Sequence, residues 1–192
     1  MPGHNFKILF DLAIDNYGFV TVEDARRAGI RPQRLAEMAA RGALRHEGFG
    51  LYRVKPFPEH ELDSYRKATL WPHGVTGILS HETALELYGL GDVNPAKIHL
   101  TVPKRYRVRH RDVPSHYRLH HEDLDARDIT RFEGIPIVTA ARALRQAHQA
   151  HLRHDLLRQA IEEAKRHGLI SRSEYNGLMR EFEFDAIVAA TR

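Results

Sequence analysis

The 192-residue chain contains no cysteine and no long hydrophobic run. Without cysteine, disulfide-stabilised scaffolds, thiolate zinc sites and cysteine nucleophiles are excluded, and the composition fits a reducing cytoplasm. No apolar stretch approaches the roughly 20 residues that span a bilayer, and the first residues lack the basic and apolar regions of a signal peptide. We therefore expect a cytoplasmic protein without a membrane partner.

Common catalytic motifs are absent as well. The sequence has no glycine-rich phosphate loop, nucleophile elbow or paired catalytic carboxylates. Asp155, Glu163 and Lys165 occur in the order of a nuclease pattern, but that chemistry needs the last two side chains next to each other. On the helix predicted here, residues two apart point about 200° away from each other. We therefore predict no catalytic residues, and a nuclease is the least favoured alternative.

The chain has 14 histidines, which raises the question of a metal site. His148, His151 and His154 recur every three residues in a region predicted to be helical. Helical zinc sites more often pair histidines four residues apart with a carboxylate, as in His-Glu-x-x-His. Residues 120–123, His-His-Glu-Asp, have the composition of a polar loop. We therefore predict no metal site and no cofactor.

The positive charge of the chain is concentrated in two blocks, although the formal net charge is only +4. Residues 26–55 contain eight Lys or Arg and two Asp or Glu, and residues 103–118 contain six and one. The remainder of the chain is therefore net negative. Concentrated basic surface is typical of proteins that bind polyanions, although an ordinary solvated surface is the alternative explanation.

Three helices and a hairpin are predicted in the first basic region and the residues before it. Apolar periodicity predicts helices over residues 5–16, 22–28 and 32–41. Thr21 and Asp24 have the spacing of a capping box at the start of the second helix, and Pro32 suits the first position of the third. Residues 44–54 alternate as a hairpin around a glycine-bearing turn. This order predicts a winged helix-turn-helix domain over residues 1–55.

The third helix has the composition of a DNA recognition helix. Its N-terminal end, which enters the major groove in such domains, carries Arg31, Gln33 and Arg34. Arg suits guanine and Gln suits adenine, with about 1–3 kcal/mol of discrimination per good pair, so we predict that these residues contact bases. Glu37 lies on the same exposed face and opposes binding, since its charge repels phosphates.

Basic residues around this helix suit the DNA backbone. Strand alternation places Arg45, Arg53 and Lys55 on the hairpin face opposite its apolar residues. Phosphate contacts are predicted for Arg26, Arg27, Arg41, Arg45, Arg53 and Lys55. A winged helix can also bind protein, but the clustered arginines favour double-stranded DNA.

A proline-marked linker at residues 56–58 is predicted to separate this domain from residues 59–192. In the second region, short strands alternate with helices, and further helices follow toward the C-terminus. We predict an α+β chain whose C-terminal domain is mixed α/β, with a small antiparallel-rich sheet and C-terminal helices.

A basic segment in the second region is predicted to form a strand over residues 105–111. Because the side chains of a strand alternate, Arg105, Arg107, Arg109 and Arg111 would share one face, next to Lys104. Four like charges on one face repel one another without a partner, so we predict a second surface for DNA phosphates or an acidic protein. An ordinary solvated strand face is the alternative.

Several segments together resemble the AbiEi-type antitoxins, which belong to the abortive-infection, type IV toxin–antitoxin systems of bacteria. The likeness to the family's N-terminal winged helix rests on residues 21–30, 35–44 and 50–53. The likeness to the family's Ser-His-x-x-Ala helix, its following strand and its Gly-x-Pro-x-Thr segment rests on residues 79–90, 98–103 and 134–144. Arg31 stands where the family has a small polar cap, and Ala143 where a threonine is frequent.

This resemblance implies a function that composition and spacing do not. Such proteins repress their own operon by binding operator DNA through the winged helix, and their second domain is linked to neutralising a nucleotidyltransferase-like toxin. The expected partners are therefore double-stranded operator DNA and such a toxin. A stand-alone transcriptional regulator without a toxin partner is the first alternative.

Overall fold

The computed structural model describes residues 3–48, 50–108 and 113–184. The chain divides into two compact units, Met1–Gly77 and Ile78–Arg192. Its architecture is α+β, as the sequence predicts, with a small antiparallel sheet in the first unit and a mixed sheet in the second. Among the residues described, no helix is long and apolar enough to cross a membrane.

The first unit has the element order of a winged helix, followed by one more helix. Its elements are α1 (His4–Ile14), β1 (Phe19–Thr21), α2 (Val22–Arg27), α3 (Pro32–Ala40), β2 (Leu44–Gly48), β3 (Leu51–Val54) and α4 (Asp63–Leu70). Strand β3 lies in the centre of the sheet and pairs antiparallel with both β1 and β2, so that Tyr52 lies opposite Val20 and His46. The predicted helices and hairpin are confirmed.

Local signals explain where these helices begin. The Oγ1 atom of Thr21 accepts a hydrogen bond from the Asp24 backbone N–H at 3.0 Å, and the Asp24 carboxylate accepts one from the Thr21 N–H at 3.1 Å. This reciprocal pair satisfies two amide groups at the N-terminus of α2 that the helix leaves without partners. Pro32 occupies the first turn of α3, where its missing N–H costs nothing.

Apolar residues from all three winged-helix helices and from the sheet form the core of the first unit. The buried set is Leu9, Ala13, Val20, Ala25, Ile30, Leu35, Met38, Leu44, Tyr52 and Val54. Burial of this shared core fixes the orientation of α3, because Leu35 and Met38 point inward. The opposite face of α3 is therefore presented to solvent.

The first unit extends past the predicted linker at residues 56–58. The structure groups residues 59–77 with the winged helix, whereas the sequence places them in the second domain. Side chains explain the difference, because Asp63 pairs with Arg53 at 2.6 Å and Lys67 pairs with Glu47 at 2.6 Å. Helix α4 is thus tied to the wing by two ion pairs that no local pattern reveals.

The second unit contains five strands, four helices and one short 3-10 turn among the residues described. Its elements are β4 (Ile78–Leu79), α5 (His81–Leu87), β5 (Ile98–Val102), β6 (Tyr117–His121), the turn Ala126–Asp128, β7 (Ile129–Phe132), β8 (Ile135–Val138), α6 (Ala140–Gln149), α7 (His154–Arg166) and α8 (Arg172–Glu181). The strand order is β6-β5-β4-β8-β7. The β4–β5 and β7–β8 pairs are antiparallel, while β5–β6 and β4–β8 are parallel.

The predicted strand over residues 105–111 is wrong for the part that the structure describes. After β5, residues 104 and 105 form a turn, and the Tyr106 N–H donates to the Pro103 carbonyl at 2.8 Å. The Lys104 N–H donates to the Asp123 carboxylate at 3.0 Å, which fixes the turn. Arg109 and Arg111 lie outside the described residues.

Candidate nucleic-acid interface

The solvent face of α3 carries the residues that the sequence assigns to base contacts. Leu35 is 0% and Met38 is 8% exposed, so the opposite face of the helix is free of the core. Gln33, Arg34 and Glu37 are all exposed on that face. The prediction that Gln33, Arg34 and Glu37 lie on an exposed face of this helix is therefore confirmed.

The N-terminal end of α3 presents two polar side chains that have no partner in the described part of the chain. Arg31 is the residue that precedes the helix, has an extended backbone and makes no side-chain capping bond. Its guanidinium and the Gln33 amide are exposed and have no hydrogen-bond or ion-pair partner in the described parts of the chain. Both are free to contact an external acceptor or donor.

Arg34 is already paired within the helix. Its Nη1 atom lies 2.6 Å from Glu37 Oε2, one helical turn away. Both side chains are about half exposed, at 45% and 50%, so the pair is screened by water and contributes little to stability. Arg34 can therefore exchange the Glu37 carboxylate for a base edge or a phosphate at small cost.

Further exposed cations surround α3. Arg26 and Arg27 lie 3.9 and 3.6 Å from the Glu23 carboxylate in α2, with their side chains 61% and 72% exposed. Arg41 and Lys55 are exposed and have no ion-pair partner among the residues described. These four positions suit loose contact with phosphates, which requires charge and reach rather than a fixed fork.

The wing contributes Arg45, which is held by acidic neighbours. Its Nε lies 2.5 Å from Glu47 Oε1, and its Nη1 lies 3.5 Å from Glu59. Burial acts to raise the pKa of Glu47, but its hydrogen bonds with Lys67 and Arg45 outweigh burial and lower that pKa below its ordinary value. The same bond with Glu47 raises the pKa of Arg45. Arg45 is thus exposed but partly neutralised.

Arg53 is not part of the exposed basic surface, and the prediction that it contacts phosphate is wrong. It is only 3% exposed. Its guanidinium donates to Asp63 Oδ2 at 2.6 Å and to the Pro58 carbonyl at 2.5 Å, and its central carbon lies 4.9 Å from the ring centroid of Phe19. The chain after β3 covers this face of the hairpin, so Arg53 connects the wing to α4.

The part of the chain that forms these helices and the wing matches a known protein family. Residues 7–55 match the family model of a transcriptional regulator, the AbiEi antitoxin. The resemblance expected for this part of the chain is therefore confirmed. The matched AbiEi segment, residues 7–55, begins within α1 and ends just after β3. No curated protein matches the chain significantly.

Beyond the AbiEi segment, the second basic surface is described only in part. Lys104, Arg105 and Arg107 are exposed, and the Arg107 guanidinium donates to the Lys104 and Tyr106 carbonyls at 2.8 and 2.9 Å. These bonds fold the Arg107 side chain back onto its own turn. The three residues therefore form a basic turn rather than the predicted strand face, and its role as a binding surface stays a prediction.

The nuclease-like pattern lies on a helix, as predicted. Glu163 and Lys165 belong to α7, where Glu163 Oε2 accepts a hydrogen bond from the Gly91 N–H at 2.7 Å. The Lys165 ammonium lies 3.8 Å from the ring centroid of Tyr175. The two side chains therefore contact different neighbours and are not arranged as a joint metal and proton site.

The predicted histidine series does not lie on one helix. His148 is in α6, His151 is in the turn that follows, and His154 begins α7. The positive φ of His151, 60°, reverses the chain between the two helices. His148 and His154 instead pack against Phe182 and Phe184, with ring centroids 4.2 and 4.6 Å apart.

A different group of histidines was missed by the sequence analysis. His81, His99 and His120 offer ring nitrogens that all lie within 4.8 Å of one another. The prediction that residues 120–123 form a polar loop is wrong for His120, which belongs to β6. The three residues are 18 and 21 positions apart in sequence, so only the strand pairing brings them together.

Burial keeps these three imidazoles neutral. It lowers the pKa of His81 to about 3, with further contributions from His120, His99, Arg118 and Arg142. Burial likewise lowers the pKa of His99 and of His120 to about 4 each, and Arg118 adds to both effects. A neutral imidazole has one N–H and one bare nitrogen lone pair, so each ring can act as a ligand at neutral pH.

Proposed function

We propose that the protein is a DNA-binding transcriptional regulator that contacts its operator through α3 and the wing. The observation that carries this proposal is the exposed N-terminal end of α3, inside a segment that matches transcriptional regulators. Arg31 and Gln33 have no side-chain partner there among the residues that the structure describes. In this proposal Arg31, Gln33 and Arg34 contact bases in the major groove. The phosphate contacts come from Arg26, Arg27, Arg41, Arg45 and Lys55.

We further propose that the protein is the antitoxin of a type IV system. It represses its own operon and counteracts a nucleotidyltransferase-like toxin in the cytoplasm, without an enzymatic activity of its own. The match of residues 7–55 to AbiEi antitoxins supports this assignment, as does the resemblance of residues 79–90 and 134–144 to the same family. The toxin-neutralising role is assigned to the second unit.

Footprinting on the DNA upstream of the gene tests operator binding. We expect one protected site whose affinity falls steeply when the salt concentration is raised, because binding releases counterions from the neutralised phosphates. Arg31→Ala should lose protection at protein concentrations that protect the site with the unsubstituted chain. Arg127→Ala is the matched control, since Arg127 is 85% exposed but lies outside both basic surfaces.

Co-expression tests the antitoxin role. We expect the full chain to restore growth of cells that express a nucleotidyltransferase-like toxin encoded beside it. Operator binding without rescue, or without such a neighbouring gene, would instead identify a stand-alone regulator. Metal-dependent cleavage of plain duplex DNA by the purified chain would indicate a nuclease.

A further inference from the structure

Three structural segments converge at the histidine group in the second unit. His81 follows β4 and begins α5, His99 lies in β5, and His120 lies in β6. Because β5 and β6 are parallel and Thr101 is paired with His120, the side chains of His99 and His120 lie on the same face of the sheet. The Ser80 N–H donates to the His99 carbonyl at 3.1 Å, which brings His81 to that face as well.

The three rings pack directly against one another. The His81 and His120 centroids are 3.6 Å apart with only 16° between the ring planes, and His99 lies 5.8 and 5.2 Å from them. His81 holds its position with a backbone φ of 54°, in the left-handed region that residues with a Cβ rarely occupy. Such conformations persist where the surrounding structure fixes them, and they cluster at functional sites.

Two nitrogens of this group lack the partners that burial normally requires. His99 Nδ1 and His120 Nε2 are buried without a hydrogen bond in the described parts of the chain. An unsatisfied buried polar atom is costly, and such atoms in a native fold call for an explanation such as an ion. A cation that accepts both lone pairs would satisfy both atoms at once.

We propose that His81, His99 and His120 form a binding site for a divalent transition-metal ion, with Zn²⁺ as the preferred occupant. His81 Nδ1 lies 3.0 Å from the Ser80 hydroxyl, which in turn accepts a hydrogen bond from Thr101 at 2.8 Å. When Nδ1 donates to Ser80, Nε2 is left bare to act as the ligand. A hydrogen bond to the second ring nitrogen is the usual support of a metal-binding histidine.

The donor set selects the class of cation. Three imidazoles without a carboxylate suit zinc and similar ions, whereas Mg²⁺ and Ca²⁺ prefer oxygen ligands. Tetrahedral zinc sites hold nitrogens roughly 3.4 Å apart, whereas the three ring nitrogens here are known to lie within 4.8 Å of one another. On zinc binding the nitrogens must therefore move closer together, by up to about 1.4 Å, and the stacked rings of His81 and His120 must tilt until their lone pairs converge. Three protein ligands leave a fourth position for water or another external ligand.

Titration of the chelator-treated, dialysed full chain with Zn²⁺ tests this site. We expect one Zn²⁺ per chain, a visible absorption band when Co²⁺ takes the place of zinc, and no loss of that band when excess Mg²⁺ is added. His99→Gln and His120→Gln should each weaken zinc binding at least tenfold. His121→Gln is the matched control, because this exposed histidine is the next residue of the same strand and should leave binding unchanged.

A substitution at Arg118 should change the zinc affinity in the opposite direction to the histidine substitutions. This exposed residue pairs with His99 across β5 and β6, and its charge acts on all three histidines. Arg118→Gln should therefore tighten zinc binding, since it removes a positive charge beside the cation.

A measurement on the unsubstituted chain keeps the test independent of whether variants fold. Zinc should shift the imidazole nitrogen resonances of three histidines in nuclear magnetic resonance spectra, and His81, His99 and His120 should be the ones assigned. The absence of stoichiometric binding would overturn the proposal. Loss of binding in His151→Gln, with His120→Gln unaffected, would overturn it too. Neither result bears on DNA binding by the first unit.

Discussion

Arg34 is paired with Glu37 in its own helix, and in the proposed complex it contacts DNA instead. Its ion pair with Glu37 is exposed and exchangeable, so a base edge can replace the carboxylate. We expect Arg34→Ala to weaken operator binding by about 1–3 kcal/mol and to weaken binding to random DNA much less. Fluorescence anisotropy on both DNAs measures the difference.

Arg41 is the control for that comparison. It is exposed beyond the last turn of α3 and is assigned to phosphate, so Arg41→Ala should weaken binding to both DNAs by similar factors. Equal losses in Arg34→Ala would assign Arg34 to phosphate as well.

Arg53 has a structural role and should behave differently from its basic neighbours. Removing it leaves the Asp63 carboxylate, whose side chain is only 19% exposed, without its cation. We expect Arg53→Met to lower the free energy of unfolding of the first unit by about 3 kcal/mol, the lower end for broken buried ion pairs. Urea denaturation measures this change.

Lys55 provides the matched control for Arg53, two residues further along the chain. It is exposed and has no ion-pair partner among the described residues, so Lys55→Met should reduce DNA affinity but leave the unfolding midpoint unchanged. If Arg53→Met kept full stability and lost only DNA affinity, the role assigned to Arg53 here would be wrong. The double variant Arg53→Met, Asp63→Leu should recover part of the lost stability, because no buried charge is left unpaired.

Among the elements, those of the first unit were the most predictable from sequence. Thr21 with Asp24, Pro32 and the apolar spacing of α3 are local signals, and each acts within one turn of helix. The outward face of α3 follows from the same spacing. The exposure of Gln33 and Arg34 was therefore predictable together with the helix itself, and their contact with DNA stays a prediction.

Features that depend on contacts between distant segments were not predictable. Alternation in β3 correctly separates Tyr52 from Arg53, but both are buried because later residues cover the second face. The alternating arginines after β5 suggested a strand, but the described part of this segment begins with a turn that a hydrogen bond to Asp123 fixes. The histidine group requires the strand order of the whole sheet, which short sequence patterns do not contain.

When zinc is absent, the stability of the strands and helices around this histidine group should decrease in acid. In the unfolded chain the three imidazoles have an ordinary pKa of about 6.5, whereas the fold lowers the pKa to about 3 for His81 and about 4 for the other two. Between these values the unfolded chain binds more protons. Stability is therefore fully present above about pH 6.5 and is lost as the pH falls toward 4.

Urea denaturation of the chelator-treated chain measures this dependence. We expect the unfolding midpoint of the second unit to fall between about pH 7 and pH 5, a window that lies mostly below the unfolded-state pKa. His120→Gln should flatten the dependence because it removes one of the titrating groups. A midpoint that stays constant or rises over this window contradicts the pKa directions given above.

The whole molecule carries its positive charge in two blocks, one in each unit. If the turn at residues 104–107 serves the proposed function, Arg105→Gln with Arg107→Gln should reduce operator affinity or toxin neutralisation. A loss of DNA affinity should be accompanied by a shallower salt dependence, by about one unit of slope per lost phosphate contact. Arg127→Gln is the control and should change neither property. If the double variant of Arg105 and Arg107 kept both properties, this turn would be an ordinary solvated surface.

The ion pair between Arg53 and Asp63 also has a consequence for how the first unit can be separated or recombined. The segment shared with the AbiEi family ends at residue 55, but the side chains that complete its wing come from the Asp63–Leu70 helix. A fragment that ends at Lys55 would expose the Arg53 face and lose Asp63, which pairs with Arg53, and Lys67, which is one of the two cations bonded to Glu47. The shortest transferable piece therefore ends near Gly77, and a gene fusion or truncation made at the family boundary should give an insoluble or partly unfolded product.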